Sequence, residues 1–284
     1  MALELESASP KEISPPVCPN CEAPLIGQYC HVCGQQRIKD PLSLKAFLGD
    51  FVSNLVDFEH SKMWRTLRAL ITRPGRLTIE YVGGRRVDWI TPFKLYLSVF
   101  ALSFFLYSAF KSVAVYDLGT LLTAEKTGAL AKGVSQLAEK THLSREAFIA
   151  VVNARWHGYM SIAQFVYPVL FALLVKLFYF QRRFVEHLVF STHYQAFALL
   201  LTILAWPLYR LTGITLTSHS APLAVAVTLL MMLYLIFAVR AVYRQSWPIA
   251  TIKGVFLYIG YYIIYVATTY STLAMAMTMA LRDG

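Results

Sequence analysis

The chain has 284 residues, 57% of them hydrophobic and only 15% charged, with a mean hydropathy of +0.51. A soluble domain of this size carries more charge, so the composition argues for an integral membrane protein. The formal charge of +10 sits in the amino-terminal third and at the ends of apolar runs. Membrane proteins place their cations in this way, and no nucleic-acid partner is expected.

Residues Met1 to Glu12 carry three glutamates and no basic start, and Pro15-Pro16 follows instead of an apolar stretch. No secretion signal is read there, and 1–17 is expected to be a disordered tail. The four cysteines of the chain come next, as Cys18-Pro-Asn-Cys21, eight intervening residues, and Cys30-His-Val-Cys33. Each pair lets two thiolates converge from a tight turn, and the two pairs supply the four sulfurs that tetrahedral Zn2+ prefers. Segment 18–37 is therefore expected to be a small zinc ribbon with Cys18, Cys21, Cys30 and Cys33 as ligands. A closed four-sulfur shell leaves no position for substrate, so the metal is structural. Two disulfides fit poorly with a chain lacking a secretion signal; oxidation of the thiolates as a redox sensor stays open. Zinc needs reduced thiolates, which places the amino terminus in the cytosol.

Segment 41–91 is predicted to be a cytosolic, basic, amphipathic arm. From Leu44 to Phe58, and again from Met63 to Ile71, apolar residues recur at three- and four-residue steps, until Pro74-Gly75 ends the second helix. Arg65, Arg68 and Arg73 flank that second apolar face, and Arg85 and Arg86 follow a Gly-Gly turn. These five are candidate contacts for anionic lipid headgroups. Packing of both helices on the cytosolic face of the membrane helices is an equally good reading.

Five apolar spans are predicted in 92–284: Pro92 to Phe110, Tyr159 to Phe180, Leu188 to Tyr209, Pro222 to Val239 and Gly254 to Leu281. With the amino terminus inside, the short inner loops hold Arg182, Arg183, Arg240 and Arg244, obeying the positive-inside rule. Lys94 and Lys176 lie where their stems can snorkel to headgroups. The long loop 111–158 is then outside and is expected to hold two short amphipathic helices, one around Val134 and one starting near Ser144. The fold class is mainly α: a polytopic transmembrane bundle of about five spans, with a small amino-terminal zinc ribbon and juxtamembrane amphipathic helices.

Polar side chains inside spans usually mark function, because hydrocarbon penalises them. Glu186, His187, His193 and Gln195 in the third span are the candidate polar membrane site. The two histidines are six residues apart, about 240° around a helix, and do not share a face. A proton relay or polar pocket stands against plain interhelical hydrogen bonding. No nucleophile elbow, phosphate loop or carboxylate pair is visible, so no catalytic residue is assigned.

The ordered set Cys-x2-Cys-x8-Cys-x2-Cys-Gly-Gln, Arg65-Thr-Leu-x-x-Leu-x-x-Arg73-Pro-Gly75, Tyr81-x-x-Gly84-Arg85 and Glu186-His187-Leu-Val-Phe-x-x-His193 resembles an uncharacterised bacterial family of zinc-ribbon membrane proteins, a domain of unknown function. The resemblance implies this architecture and a bacterial inner membrane, and no reaction. The leading expectation is a non-enzymatic docking or scaffold protein for a protein partner or lipids. The rival is a small transporter or lipid-handling protein using Glu186, His187, His193 and Gln195.

Overall fold

The computed structural model describes residues 16–37, 42–45, 47, 60–109, 118–124, 128–212 and 222–282. Most of the expected tail 1–17, most of the amphipathic stretch from Leu44 to Phe58, and the start of the outer loop at 111–117 lie outside the described residues. Among the described residues the regular structure is helical, apart from two isolated antiparallel bridges in the cysteine segment, Val17 with Pro24 and Tyr29 with Gln36.

Helices α1 (His60–Thr72) and α2 (Arg76–Val82) form a hairpin that packs into the bundle. Its turn, Arg73-Pro74-Gly75, ends α1 because proline cannot continue the ladder and Gly75 adopts φ 82°. A Cβ on Gly75 would lie 3.0 Å from the carbonyl oxygen of Ala238, so the turn sits directly on a later helix. Tyr234 donates its hydroxyl to the carbonyl of Leu70 at 2.9 Å, satisfying an acceptor that the last turn of α1 leaves open. Thr66, Ala69 and Leu70 form the buried face of α1, while Trp64, Arg68 and Ile71 face outward. The packing reading of this helix therefore holds for its buried face, while the other face is open.

Helix α3 (Pro92–Ala109) follows, then the short α4 (Leu118–Ala124) and α5 (Ala129–Lys140), and then four long helices: α6 (Arg145–Phe178), α7 (Phe184–Thr212), α8 (Pro222–Tyr243) and α9 (Trp247–Arg282). These last four are long and apolar enough to cross a membrane, and α3, with 18 residues, is a shorter apolar helix. Four of the five expected spans are thus met outright, each longer than read from hydropathy alone. Helix α7 is the most enclosed of them and forms the axis of the bundle.

The second short helix expected near Ser144 is instead the start of α6. Ser144 does cap it, accepting from the Ala147 N–H at 3.2 Å, but nothing between Arg145 and Phe178 stops the helix. At 34 and 36 residues, α6 and α9 reach about 51 and 54 Å, some 20 Å beyond a hydrocarbon core. Their projecting ends bury Trp156 and Ala276 together with Leu118 of α4 and Val134 of α5, which makes a second core outside the bundle. Trp156 donates its indole N–H to Thr272 at 3.2 Å across this pair.

Pro168 lies inside α6 and has no N–H to give the carbonyl of Gln164 four residues earlier. The hydroxyl of Tyr96 on α3 supplies that bond at 2.8 Å. This contact also sets the direction of α3: Phe93, near its start, packs beside Val185 at the beginning of α7, and Phe100 meets Phe165 of α6 at 5.3 Å. Helix α3 therefore runs antiparallel to α6. Tyr96→Phe should destabilise the chain by about 1–3 kcal/mol by orphaning a buried carbonyl. Thermal unfolding in detergent, compared with the exposed control Tyr270→Phe, checks this.

Two sequence expectations are corrected by packing. Lys94 is only 7% exposed, so it does not reach outward as a snorkelling side chain would. Lys176, in the last turn of α6, turns its ammonium onto the carbonyls of Phe180 and Arg182 and so ties the following loop back to the end of that helix.

Candidate metal centre and its attachment to the bundle

The four cysteine sulfurs lie within 4.8 Å of one another, with Cys18 Sγ 3.7 Å from Cys33 Sγ and Cys21 Sγ 3.4 Å from Cys30 Sγ. A disulfide needs about 2.05 Å, and all four thiols are free. A tetrahedron with metal–sulfur bonds near 2.3 Å has edges of about 3.8 Å, so the cluster has the dimensions of a four-thiolate metal site. His31 is exposed and stands outside the cluster.

Two bends build this site. Glu22 donates its N–H to the Cys18 carbonyl at 2.9 Å and Gly34 to the Cys30 carbonyl at 2.8 Å, the tight turns a Cys-x-x-Cys knuckle requires. The backbone N–H of Cys33 holds the Cys30 thiol down to about 6, assisted by the N–H of Val32. At Cys21 the Ala23 N–H likewise pulls down, yet desolvation and the three neighbouring sulfurs outweigh it and push that thiol up to about 12. Four crowded sulfurs resist becoming four thiolates alone; a bound cation supplies the missing charge.

The cysteine head is clamped to the loop after α2. Gln35 donates its amide to the Gly84 carbonyl at 2.7 Å and accepts from the Arg86 N–H at 3.2 Å. Gly84 has φ 83°, and a Cβ there would come within 3.0 Å of Pro19, so the first knuckle rests on bare backbone. A crevice of about 260 Å³ follows the seam, bordered by Cys18, Leu25, Val82 and Arg86. Beneath it Tyr81 is buried with Ala172, Val185 and Leu188, and one turn earlier Thr78 Oγ1 lies 3.0 Å from His193 Nδ1 in a buried contact. A continuous run of contacts thus joins the thiols to α7.

Residues 60–104 match the profile of a family described as a protein of unknown function, DUF3667. The DUF3667 match covers the α1–α2 hairpin, the Gly84 loop that receives the head, and most of α3. No curated protein and no solved structure matches this chain.

The four candidate residues of α7 take separate partners. Glu186 accepts from the Arg183 N–H at 3.2 Å and pairs with Arg182 at 3.0 Å, as an acid in the first turn of a helix does. His187 Nδ1 meets the Tyr243 hydroxyl at 2.8 Å and its Nε2 the Tyr179 carbonyl at 3.2 Å. His193 faces Thr78. Gln195 donates to the Gln164 side chain at 3.1 Å and accepts from the Tyr261 hydroxyl at 2.9 Å, tying α7 to α6 and α9.

The five candidate arginines also divide. Arg85 pairs with Glu80, and Arg86 lies 4.0 Å above the Tyr81 ring. Arg65, Arg68 and Arg73 instead line one open cleft of about 470 Å³ with Thr72 and Trp89. Sequence reasoning quoted Gln35 within a motif but gave it no role, and passed over Thr78 and Tyr96. Only Tyr96 had a legible cause, the proline that frees a carbonyl inside a span, and nothing in the sequence says which hydroxyl answers it.

Proposed function

We propose that this chain is a non-enzymatic docking protein of the bacterial inner membrane, in which a cytosolic head loaded with structural Zn2+ is held against a membrane bundle and receives a protein partner. The observation that carries this reading is the inverted surface of the head. Ile26 is 86% exposed, and Val17, Tyr29 and Val32 also face outward, while the polar side chain of Gln35 is spent on fastening the head inward. Exposed apolar side chains on so small a unit favour association with another protein.

Zinc suits four thiolates at tetrahedral spacing, and it would be held by Cys18, Cys21, Cys30 and Cys33, closing the head without supplying a reaction. A cytosolic head agrees with reduced thiols and with the cationic turns. The hairpin rests on Ala238 and Val242, beside Arg240 and Arg244, and Tyr81 packs at the end of α7 that follows Arg182 and Arg183. Head and positive loops share one end of the bundle, the pattern expected of a cytosolic face.

A photo-reactive residue placed at position 26 of the full chain in cells should give one discrete protein adduct, and one placed at Glu22 should not. Adducts to lipid alone, or the same adducts at both positions, would overturn the docking reading.

A further inference from the structure

Arg68 and Arg73 are exposed, and among the described residues neither has a carboxylate within ion-pairing distance. Arg65 pairs with Asp88 at 3.2 Å, and both side chains are open to solvent. These three cations surround the cleft of about 470 Å³ that Thr72 and Trp89 complete, a volume suited to a small ligand and far larger than a single water. The cleft holds an excess of positive charge, and among the described residues no acidic side chain lines it.

Its surroundings favour a lipid over a soluble anion. Trp64 is 72% exposed, and with Arg68, Ile71 and Thr72 it recurs at helical spacing on the outward face of α1. The turn that carries Arg73 rests on Ala238 and Val242 of α8, close to Arg240, which lies 4.3 Å over the exposed Trp247. Arginine and tryptophan side by side at the end of an apolar helix mark the headgroup level of a bilayer. From that level the exposed Leu229, Leu233 and Phe237 run along α8 as an apolar surface for acyl chains.

We propose that the cleft between α1 and Trp89 binds the phosphodiester headgroup of an anionic phospholipid, with Arg68 and Arg73 as its cationic contacts and Trp64 and Ile71 set into the acyl boundary. The proposal rests on the membrane reading above and not on the docking role of the head. It narrows five candidate arginines to two, Arg68 and Arg73, since Arg65 is paired with Asp88. Arg85 and Arg86 are committed to Glu80 and Tyr81.

The test uses the full chain in nanodiscs of phosphatidylcholine with phosphatidylglycerol, each spin-labelled in turn, reading the motionally restricted fraction by electron paramagnetic resonance. The wild type should prefer phosphatidylglycerol. Arg68→Gln with Arg73→Gln should lower that preference by up to roughly thirtyfold, the scale expected for two cations near an anionic surface. Lys132→Gln with Lys140→Gln, on the distant α5, should leave it unchanged. An unchanged preference in the arginine variant, or an equal loss in the lysine variant, overturns the site. So does erasure of the preference by inorganic phosphate at constant ionic strength, which would identify a free-phosphate site. Absence of any restricted lipid around the wild type would instead sink the membrane reading itself.

Discussion

Cys21→Ser should abolish stoichiometric metal in the purified chain and unfold the head while leaving the helical bundle intact. The core of the head consists of Cys18, Leu25 and Cys30. Burying one leucine contributes about 1.5–3 kcal/mol, whereas structural zinc in small domains contributes about 10–16 kcal/mol near neutral pH. The metal term is larger by several-fold, so packing cannot substitute for it. Elemental analysis should show no bound zinc, and limited proteolysis should cut within residues 16–37 while residues 145–282 stay protected. A fully protected head without metal would refute the structural role.

The same site has a defined response to pH. Metal binding needs thiolates, so protons compete with the ion. With Cys21 pushed up to about 12 and Cys30 held down to about 6, binding between those values displaces a proton from Cys21 but none from Cys30. Affinity therefore rises with pH throughout that window. It falls more steeply once the pH drops below about 6, where Cys30 also carries a proton. Chelator competition across this range measures the slope, and a pH-independent affinity would contradict the thiolate assignment.

Gly84→Val should release the head from the bundle without emptying it of metal. A β-branched residue held at φ 83° costs about 1–2 kcal/mol, and a Cβ within 3.0 Å of Pro19 adds about 1–3 kcal/mol of overpacking. The two Gln35 hydrogen bonds that fasten the head are together worth only about 1–3 kcal/mol. The strain matches or exceeds the fastening, so detachment is the expected outcome. Hydrogen exchange reads it directly: the Arg86 amide, which donates to Gln35, should lose protection, while the Cys18 and Cys30 amides, bonded to Ala23 and Gln35 carbonyls within the head, should keep theirs. Gln35→Ala serves as the comparison, removing both fastening bonds without adding strain. Retained protection at Arg86 in Gly84→Val would mean that the seam is not what holds the head.

The attachment bears on the proposed role. A docking head on a slack tether would leave the membrane helices indifferent to its partner. Here Gln35, Gly84, Tyr81 and the Thr78–His193 contact form a packed path to α7, and α7 in turn is tied by Gln195 to α6 and α9. His193 thereby takes on a definite structural task, holding α2 against the most enclosed helix of the bundle.

Local chemistry was legible in the order of residues alone. The Cys-x-x-Cys spacing determines a four-sulfur cluster because each pair closes within its own turn, with only a short link between them. The long apolar runs determine four membrane-length helices, since hydropathy over some twenty residues needs no knowledge of neighbours. Ser144 as a helix cap and Pro74-Gly75 as a stop are equally local. Tertiary structure alone decided where α6 begins to leave the bundle, because the projecting ends of α6 and α9 are covered by Leu118 of α4 and Val134 of α5. It alone packed the α1–α2 hairpin against the bundle, gave the Gln164 carbonyl to Tyr96, and separated the arginines that meet Asp88, Glu80 or Tyr81 from Arg68 and Arg73. Each of these depends on which side chain meets another across a large sequence separation, and helical periodicity reports only that a face is apolar, not what covers it.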